Sequence, residues 1–431
     1  MKFLLITAND IDGVGQHAIS LSKHLQLSGH KSKVLVLNRI ETNTLSVVKI
    51  KRSLFLRIFS FLFYDFIKKD FYKLFTFANS TTNYQDIEKH VFLADVIIIY
   101  SMHKILSFKF IKKIFDSGKI VYLRPLDMEF ATGGCHVNLI NNDEQECNKY
   151  TVDCNHCPQL NKLNIFNISK KIFLEKKYLI QKYKPRVLVE NTYTQKLYNQ
   201  SKIFNNHRVE KVFLGTNLKR QKSISKYEAR RILNLNQKDK IMLFGTFNLE
   251  AKHKGGNILP SILNKLNKLI VLNSKNKNKT NVKLITFGKK KSFNINLSEI
   301  DWVHLGLISS SRKLNLLYRA ADVLLSPATS CNGPHIVSEA VANDLPVIAF
   351  DVGVAQDNVI NNKNGFLIPC FKTSLFSNCI YKSLYLKKFQ CKKINKKLKQ
   401  KFNSFVEAKT IINLSYRDKI QSKLKKGNKL K

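Results

Sequence analysis

Short, wholly apolar runs recur along the first half of the chain, separated by glycine turns and stretches of helical spacing. KFLLIT (2–7) is followed by the turn NDIDGVGQ (9–16). HAISLSKHLQLSGH (17–30) then carries Ala18, Ile19, Leu21, Leu25 and Leu27 near a 3.6-residue period and ends on Gly29. KVLVL (33–37), DVIIIY (95–100), KIVYL (119–123) and RVLVE (186–190) are further apolar runs. Strands with no polar alternation are covered on both faces, and a strand–turn–helix–strand order predicts a parallel sheet flanked by helices.

A second series starts near residue 240 with KIMLFGTF (240–247). It continues through VKLITFG (282–288), DWVHLG (301–306), DVLLSPA (322–328) and LPVIAF (345–350), with helical patterns such as SSRKLNLLYRAA (310–321) between them. A chain of 431 residues exceeds what one core serves. The expected fold class is α/β, with two doubly wound Rossmann-like domains and an interdomain cleft. The expected division is a first domain over 1–214, a linker over 215–239, a second domain over 240–398, and a C-terminal helix and basic tail over 399–431 packing back on the first. Ligands of such sheets bind outside the carboxyl ends of the strands.

Composition narrows the class. The apolar fraction of 44% fits a globular protein and eight cysteines are too few for a disulfide scaffold. No run of 18 uncharged apolar residues occurs, and MKFLLIT lacks a signal-peptide cleavage pattern, so a cytoplasmic protein with reduced thiols is expected. The net charge is +43, from 73 Lys and Arg against 30 Asp and Glu. Such an excess suits an anionic partner, whereas drift towards Lys, Asn and Ile is the competing origin. Residues 51–75, dense in Phe, Lys and Arg, read either as a helix packed on the first domain or as an interfacial helix at an anionic membrane surface, assisted by the basic tail 423–431. A nucleic-acid binder is the other class that the charge allows. The basic residues are spread along the chain, however, and no helix-turn-helix or RNA-binding signature is present.

The most specific stretch is DVLLSPATSCNGPHIVSEAVANDLPVIAFDVG (322–353). A buried strand ends at Ser326-Pro327, a loop with Gly333 and Pro334 leads into a helix at His335 and Ile336, and Glu339 follows one turn later. Amide hydrogens at such a helix start suit a diphosphate, and Glu339 suits ribose hydroxyls; a capped helix with a surface Glu is the plain alternative. Ser326, Pro327, Gly333, Pro334, Glu339, Ala340, Ala342, Pro346 and Val347 resemble the donor-site pattern of the retaining glycosyltransferases of family 4, which have the GT-B fold. Other pieces fall in that family's order: DGVGQ (12–16), VFLGTNL (212–218), FGTFNLEAKHKGG (244–256) and NGFLIP (364–369).

The resemblance implies transfer of a sugar, with retention, from a UDP- or GDP-sugar to a lipid-linked or oligosaccharide acceptor, without a metal at the phosphate. Gly13, Gly15, Gly245, Lys254, Gly333, Pro334, His335, Ile336 and Glu339 would bind donor and phosphate. Lys254 and Glu339, with Asp127 orienting acceptor or sugar, would carry the reaction. The departures are Cys331 where the family has its first acid, Thr246 where it has Arg, and Leu126 where it has a His before Asp127. They leave an inactive GT-B partner protein as the alternative.

Residues 126–160 hold Thr132, Gly133, Gly134, Cys135, His136, Cys147, Cys154, Cys157 and Pro158. They resemble a cysteine-rich insertion (127–160) of a subgroup associated with bacterial surface polysaccharides such as capsule, O-antigen and exopolysaccharide. With the interfacial reading of 51–75 and the basic tail, the expected enzyme is cytoplasmic and peripheral on the inner face of the membrane. Cys154-x2-Cys157 can present two thiolates to a tetrahedral ion and Cys135 and Cys147 can complete it. A closed four-thiolate zinc would be structural, and reduced or disulfide-linked bracing of the loop is the alternative.

Overall fold

Residues 1–10, 13–39, 46–62, 75–138, 146–160, 167–215, 224–273, 281–330 and 335–427 are described by the structure, a computed structural model. They form two units, Met1–Asn217 with Asn403–Lys431, and Leu218–Phe402.

In the first unit the apolar runs become strands. The elements are β1 (Lys2–Ile6), α1 (Gly13–Leu27), β2 (Lys31–Val36), β3 (Val47–Lys49), α2 (Leu54–Ser60), α3 (Tyr84–Leu93), β4 (Val96–Ile99), α4 (Phe108–Asp116), β5 (Ile120–Leu123), α5 (Ile168–Tyr183), β6 (Arg186–Val189), α6 (Thr192–Gln200) and β7 (Val209–Lys211). All seven strands are parallel, in the order β3-β2-β1-β4-β5-β6-β7. Val96 to Ile99 are wholly buried, because helices cover both sheet faces. α1 lays Ala18, Leu21 and Leu25 on β1 and β2. Gly29, at φ +82°, then ends it, with the His30 N–H donating to the Leu25 carbonyl.

The second unit repeats the plan. It holds α7 (Lys226–Ile232), β8 (Lys240–Asn248), α8 (Leu259–Asn273), β9 (Val282–Lys289), β10 (Ile300–His304), α9 (Ser311–Ala320), β11 (Val323–Ser326), α10 (His335–Ala342), β12 (Val347–Phe350), α11 (Ala355–Asn358), β13 (Gly365–Ile368), α12 (Thr373–Tyr385) and α13 (Cys391–Lys401). The sheet runs β10-β9-β8-β11-β12-β13 and is parallel throughout. Met242, Phe244, Leu284, Leu325 and Ile348 meet α8 and α12 in one core.

The stretch 215–239 is not simply a linker. Ser225 and Glu228 form a capping box that starts α7. Ala229 then packs on Leu316 and Ala320 of α9, and Arg230 reaches Asp322 at 2.9 Å. Residues 216–223 lie outside the described residues. NGFLIP, matched above to a loop, supplies the edge strand β13, and α13 stays with the second unit up to Phe402.

The last helix, α14 (Ser404–Gly427), belongs to the first unit. Ala408, Ile411 and Ile412 join the core of β1, β2 and α1. Beside them Glu407 is clamped between His17 Nε2 at 2.9 Å, Arg124 Nη2 at 2.7 Å and the Gly215 N–H at 2.8 Å. Of residues 51–75, α2 forms over Leu54–Ser60 behind the Ser53 N-cap, and 63–74 lie outside the described residues. Among the described residues no helix is long and apolar enough to cross a membrane.

Candidate active site

In the second unit the strand order reverses between β8 and β11, and the carboxyl ends of strands at such a switch point form the ligand crevice of a doubly wound sheet. The segment after β8 folds into a 3-10 turn, Lys252–Lys254, closed by Gly255 at φ +81°. A Cβ at Gly255 would stand 1.9 Å from the Pro327 carbonyl oxygen. Only glycine lets the basic turn lie against the chain leaving β11. The Thr329 N–H donates to the His253 carbonyl at 3.2 Å and fixes the same junction. Burial, with the neighbouring Lys254 charge adding, pushes the His253 imidazole down to about 3, so it is neutral near pH 7. Lys254 is half-buried on this turn.

α10 begins at His335, and both His335 and Ile336 are half-buried in its first turn. Gly333, Pro334 and Cys331 lie outside the described residues. Glu339 is also half-buried, and its Oε2 accepts a hydrogen bond from the Tyr318 hydroxyl of α9 at 2.5 Å. Burial raises the Glu339 carboxyl above its ordinary value, and the Tyr318 hydrogen bond pulls the other way. The unit thus brings a lysine-bearing turn to the end of β8, and it fixes a carboxylate on the helix after β11. Gly245 serves packing, since a Cβ there would meet the Phe287 ring at 2.1 Å.

In the first unit the reversal falls between β1 and β4. Gly13 opens α1 and is exposed. At Gly15 the room for a side chain is taken by the Asn9 carbonyl oxygen, 2.0 Å from an added Cβ, so this glycine lets α1 close on the end of β1. Asp127 follows β5 and is partly exposed; its Oδ2 lies 2.7 Å from His136 Nδ1. Although Leu126 precedes Asp127, an imidazole therefore stands beside the carboxylate, contributed by His136. His136 Nε2 lies 2.8 Å from Thr76 Oγ1, which also meets His103 Nδ1 at 3.0 Å. Burial alone would lower the His136 pKa, but the Asp127 carboxylate outweighs it and holds it above the ordinary value.

Asp127, Glu129 and His136 can bring three ligand atoms within 4.8 Å of one another. Glu129 is buried and committed, however, accepting from Ser101 Oγ at 2.7 Å and from the Met102 N–H at 3.0 Å. The group fits a hydrogen-bonded cluster better than a cation cage. Among the cysteines, Cys135 and Cys157 place their sulfurs 3.4 Å apart, and Cys154 Sγ accepts from the Gly133 N–H at 3.2 Å. Cys147 lines the same small pocket.

Several of these residues gave no sequence signal. Tyr318 reads as one more apolar residue of an amphipathic helix, and Thr76 is isolated. Lys176, buried with its Nζ on the Thr132 carbonyl at 3.0 Å, has the helical spacing of a surface lysine.

Residues 225–401 match the family described as Glycosyl transferases group 1. Sucrose-phosphate synthase from Thermosynechococcus elongatus superposes with a TM-score of 0.66 at 16% identity, covering 98% of this chain and 100% of that one. HepE from Anabaena, solved in complex with UDP-glucose, gives 0.62 at 13% identity, over 96% and 99%. TarM of S. aureus, in a mutant form solved with UDP and alpha-GlcNAc-glycerol, gives 0.58 at 12% identity, over 96% and 99%. No curated protein matches by sequence. The fold is that of the GT-B glycosyltransferases, two Rossmann-like domains with parallel sheets, and the matched family covers the second of them.

Proposed function

We propose that the chain is a retaining GT-B glycosyltransferase. Its second unit would bind a UDP- or GDP-sugar, and its first would bind a lipid-linked or oligosaccharide acceptor for surface polysaccharide synthesis. The observation that carries this is that, inside the segment matching the glycosyltransferase group, the Lys252–Lys254 turn follows β8 and Glu339 stands on the helix after β11, the two strands between which the sheet order reverses. The protein's work in such a transfer is positioning and charge stabilisation. Lys254 meets negative charge developing on the leaving diphosphate. Amide hydrogens of His335 and Ile336 at the start of α10 add their dipoles, and no divalent metal is asked for there. Glu339, held by Tyr318, accepts from the ribose hydroxyls. Asp127, paired with His136, orients the acceptor hydroxyl or the donor sugar.

The acceptor side of this reading is supported by an apolar patch. Leu54, Phe55, Ile58, Phe61 and Leu62 on and just after α2 are 67%, 76%, 52%, 66% and 59% exposed, and Lys51 and Arg57 beside them are exposed too. Apolar side chains with flanking cations fit the surface of an anionic bilayer, where a lipid-linked acceptor would be met.

The test is transfer from a panel of UDP- and GDP-sugars by the wild type, Glu339→Ala and Lys254→Ala. Loss of a charged partner in such a site costs roughly 10²- to 10³-fold in turnover. Wild-type turnover in both variants overturns the site.

A further inference from the structure

We propose that Cys135, Cys147, Cys154 and Cys157 hold one zinc ion as a four-thiolate structural centre that braces the segment after β5. The pair Cys135 and Cys157, with sulfurs 3.4 Å apart, is close to the roughly 3.8 Å edge of a tetrahedron built on Zn–S bonds of about 2.3 Å. It is far outside the roughly 2.05 Å of a disulfide. No third sulfur lies within 4.8 Å of both, so Cys147 and Cys154 close on the ion as they bind it. All four nevertheless line one small pocket, together with Val137, Tyr150 and Pro158.

Three further observations point to an anionic sulfur cluster rather than four idle thiols. First, the backbone is aimed at the sulfurs. The Gly133 N–H donates to Cys154, the Gln159 and Leu160 N–H groups donate to Cys157, and the Lys149 N–H donates to Cys147. Peptide hydrogens directed at sulfur favour the thiolate, and they are the outer partners that orient metal ligands. Second, Cys154 and His156 adopt left-handed backbone, φ 54° and 47°. Lys149 Nζ holds that turn by donating to the Asn155 and His156 carbonyls at 2.9 and 3.0 Å. Two non-glycine residues in this region cost ~1–3 kcal/mol each, which persists only where something over-determines the turn.

Third, two lysines face the cluster. Lys176, 4% exposed, has an ammonium group that acts on Glu129 first and then on Cys154 and Cys135. Lys149 acts on Cys157 and Cys147. A zinc ion with four thiolates carries two negative charges, which lysines beside the cluster help to balance. Each thiol gives its proton to solvent as the ion enters, and no electrons move.

The segment needs such a brace. Between β5 and α5 its described residues form two 3-10 turns, Glu129–Ala131 and Lys149–Thr151, and no strand or longer helix. Cys135 and Cys157 sit among Phe75, Phe77, Leu160 and Ile172, a satellite core apart from the one beneath the sheet. Asp127 and His136 lie in the same segment, so the centre would hold them in place from outside the reaction.

The experiment uses the full chain, purified without chelator, and does not depend on the transferase reading. Elemental analysis should find about one zinc per chain. Titration with a mercurial should release it in step with four protected thiols, as reported by a chromogenic zinc chelator. Cobalt substitution should give the intense absorption of tetrahedral thiolate coordination. Cys154→Ser should lose the metal, while Cys379→Ser and Cys391→Ser in the second unit should keep it. Should Cys154→Ser fail to fold, mercurial release from the wild type still decides. Metal-free folded protein with four freely reacting thiols overturns the proposal. A mass lower by two hydrogens per pair, marking disulfides, overturns it equally.

Discussion

Glu407→Gln removes the buried carboxylate that α14 places between His17 and Arg124 while keeping its shape. Glu407 and Arg124 have side chains 2% and 0% exposed, 2.7 Å apart, and His17 Nε2 and the Gly215 N–H complete the carboxylate's partners. Burial alone would raise the carboxyl, but His17, Arg124 and the Gly215 N–H together bring it down to about 2. Against an ordinary value near 4.5, that depression corresponds to about 3.4 kcal/mol of stability at pH 7. Leaving Arg124 buried without its partner gives a similar figure, ~3–5 kcal/mol. Because the folded value is the lower one, the stability is fully present above the unfolded value. It falls as pH drops towards the folded value, leaving roughly 1.4 kcal/mol at pH 3.

The assay is urea unfolding of wild type and Glu407→Gln at pH 7, 5, 4 and 3, following the transition of the first unit. The difference between the two proteins should be about 3 kcal/mol at pH 7 and should shrink steadily below pH 5. A difference under about 1 kcal/mol at pH 7 would refute the reasoning, because a buried ion pair cannot be broken that cheaply. So would a difference that stays constant down to pH 3.

Two other perturbations test separate parts of the account. Gly255→Ala drives a Cβ to 1.9 Å from the Pro327 carbonyl at φ +81°. It should lower stability by ~1–3 kcal/mol and weaken UDP-sugar binding, whereas Gly29→Ala, with the same sign of φ and nothing within 4 Å, should lower stability alone. Replacing Phe55, Ile58 and Phe61 together by Ser should abolish sedimentation with anionic phosphatidylglycerol vesicles without changing the melting temperature, since these side chains are more than half exposed. Unchanged sedimentation would remove α2 from the acceptor side.

Much of the fold was legible in the sequence because parallel strands buried on both faces leave an unmistakable mark. DVIIIY and LPVIAF each hold one of the buried central strands, β4 and β12. The short strands β3 and β7 escaped notice because three residues carry no period. α7 escaped because the expected connection between domains hid its capping box. The placement of Lys254 and Glu339 after β8 and β11 was legible because both sit in a recognisable pattern around those strands. The packing contacts of Gly15 and Gly245 were not legible. A glycine admitting a ligand and one admitting the Asn9 carbonyl or the Phe287 ring look identical in a sequence. The sequence offered Arg124, His103 and His136 alike as a polar neighbour of Asp127 and could not choose, because the 2.7 Å contact that selects His136 joins residues nine apart across irregular backbone.

The central claim is that the second unit grips a nucleoside diphosphate sugar through Lys254 and Glu339. Isothermal titration calorimetry of the full chain against UDP- and GDP-sugars tests it most directly. The account predicts saturable binding of one donor per chain by the wild type. It predicts weaker binding in Lys254→Ala and Glu339→Ala, roughly 10- to 100-fold for a lost charge-assisted hydrogen bond. Binding of equal strength in all three proteins, or no heat with any donor, would contradict it.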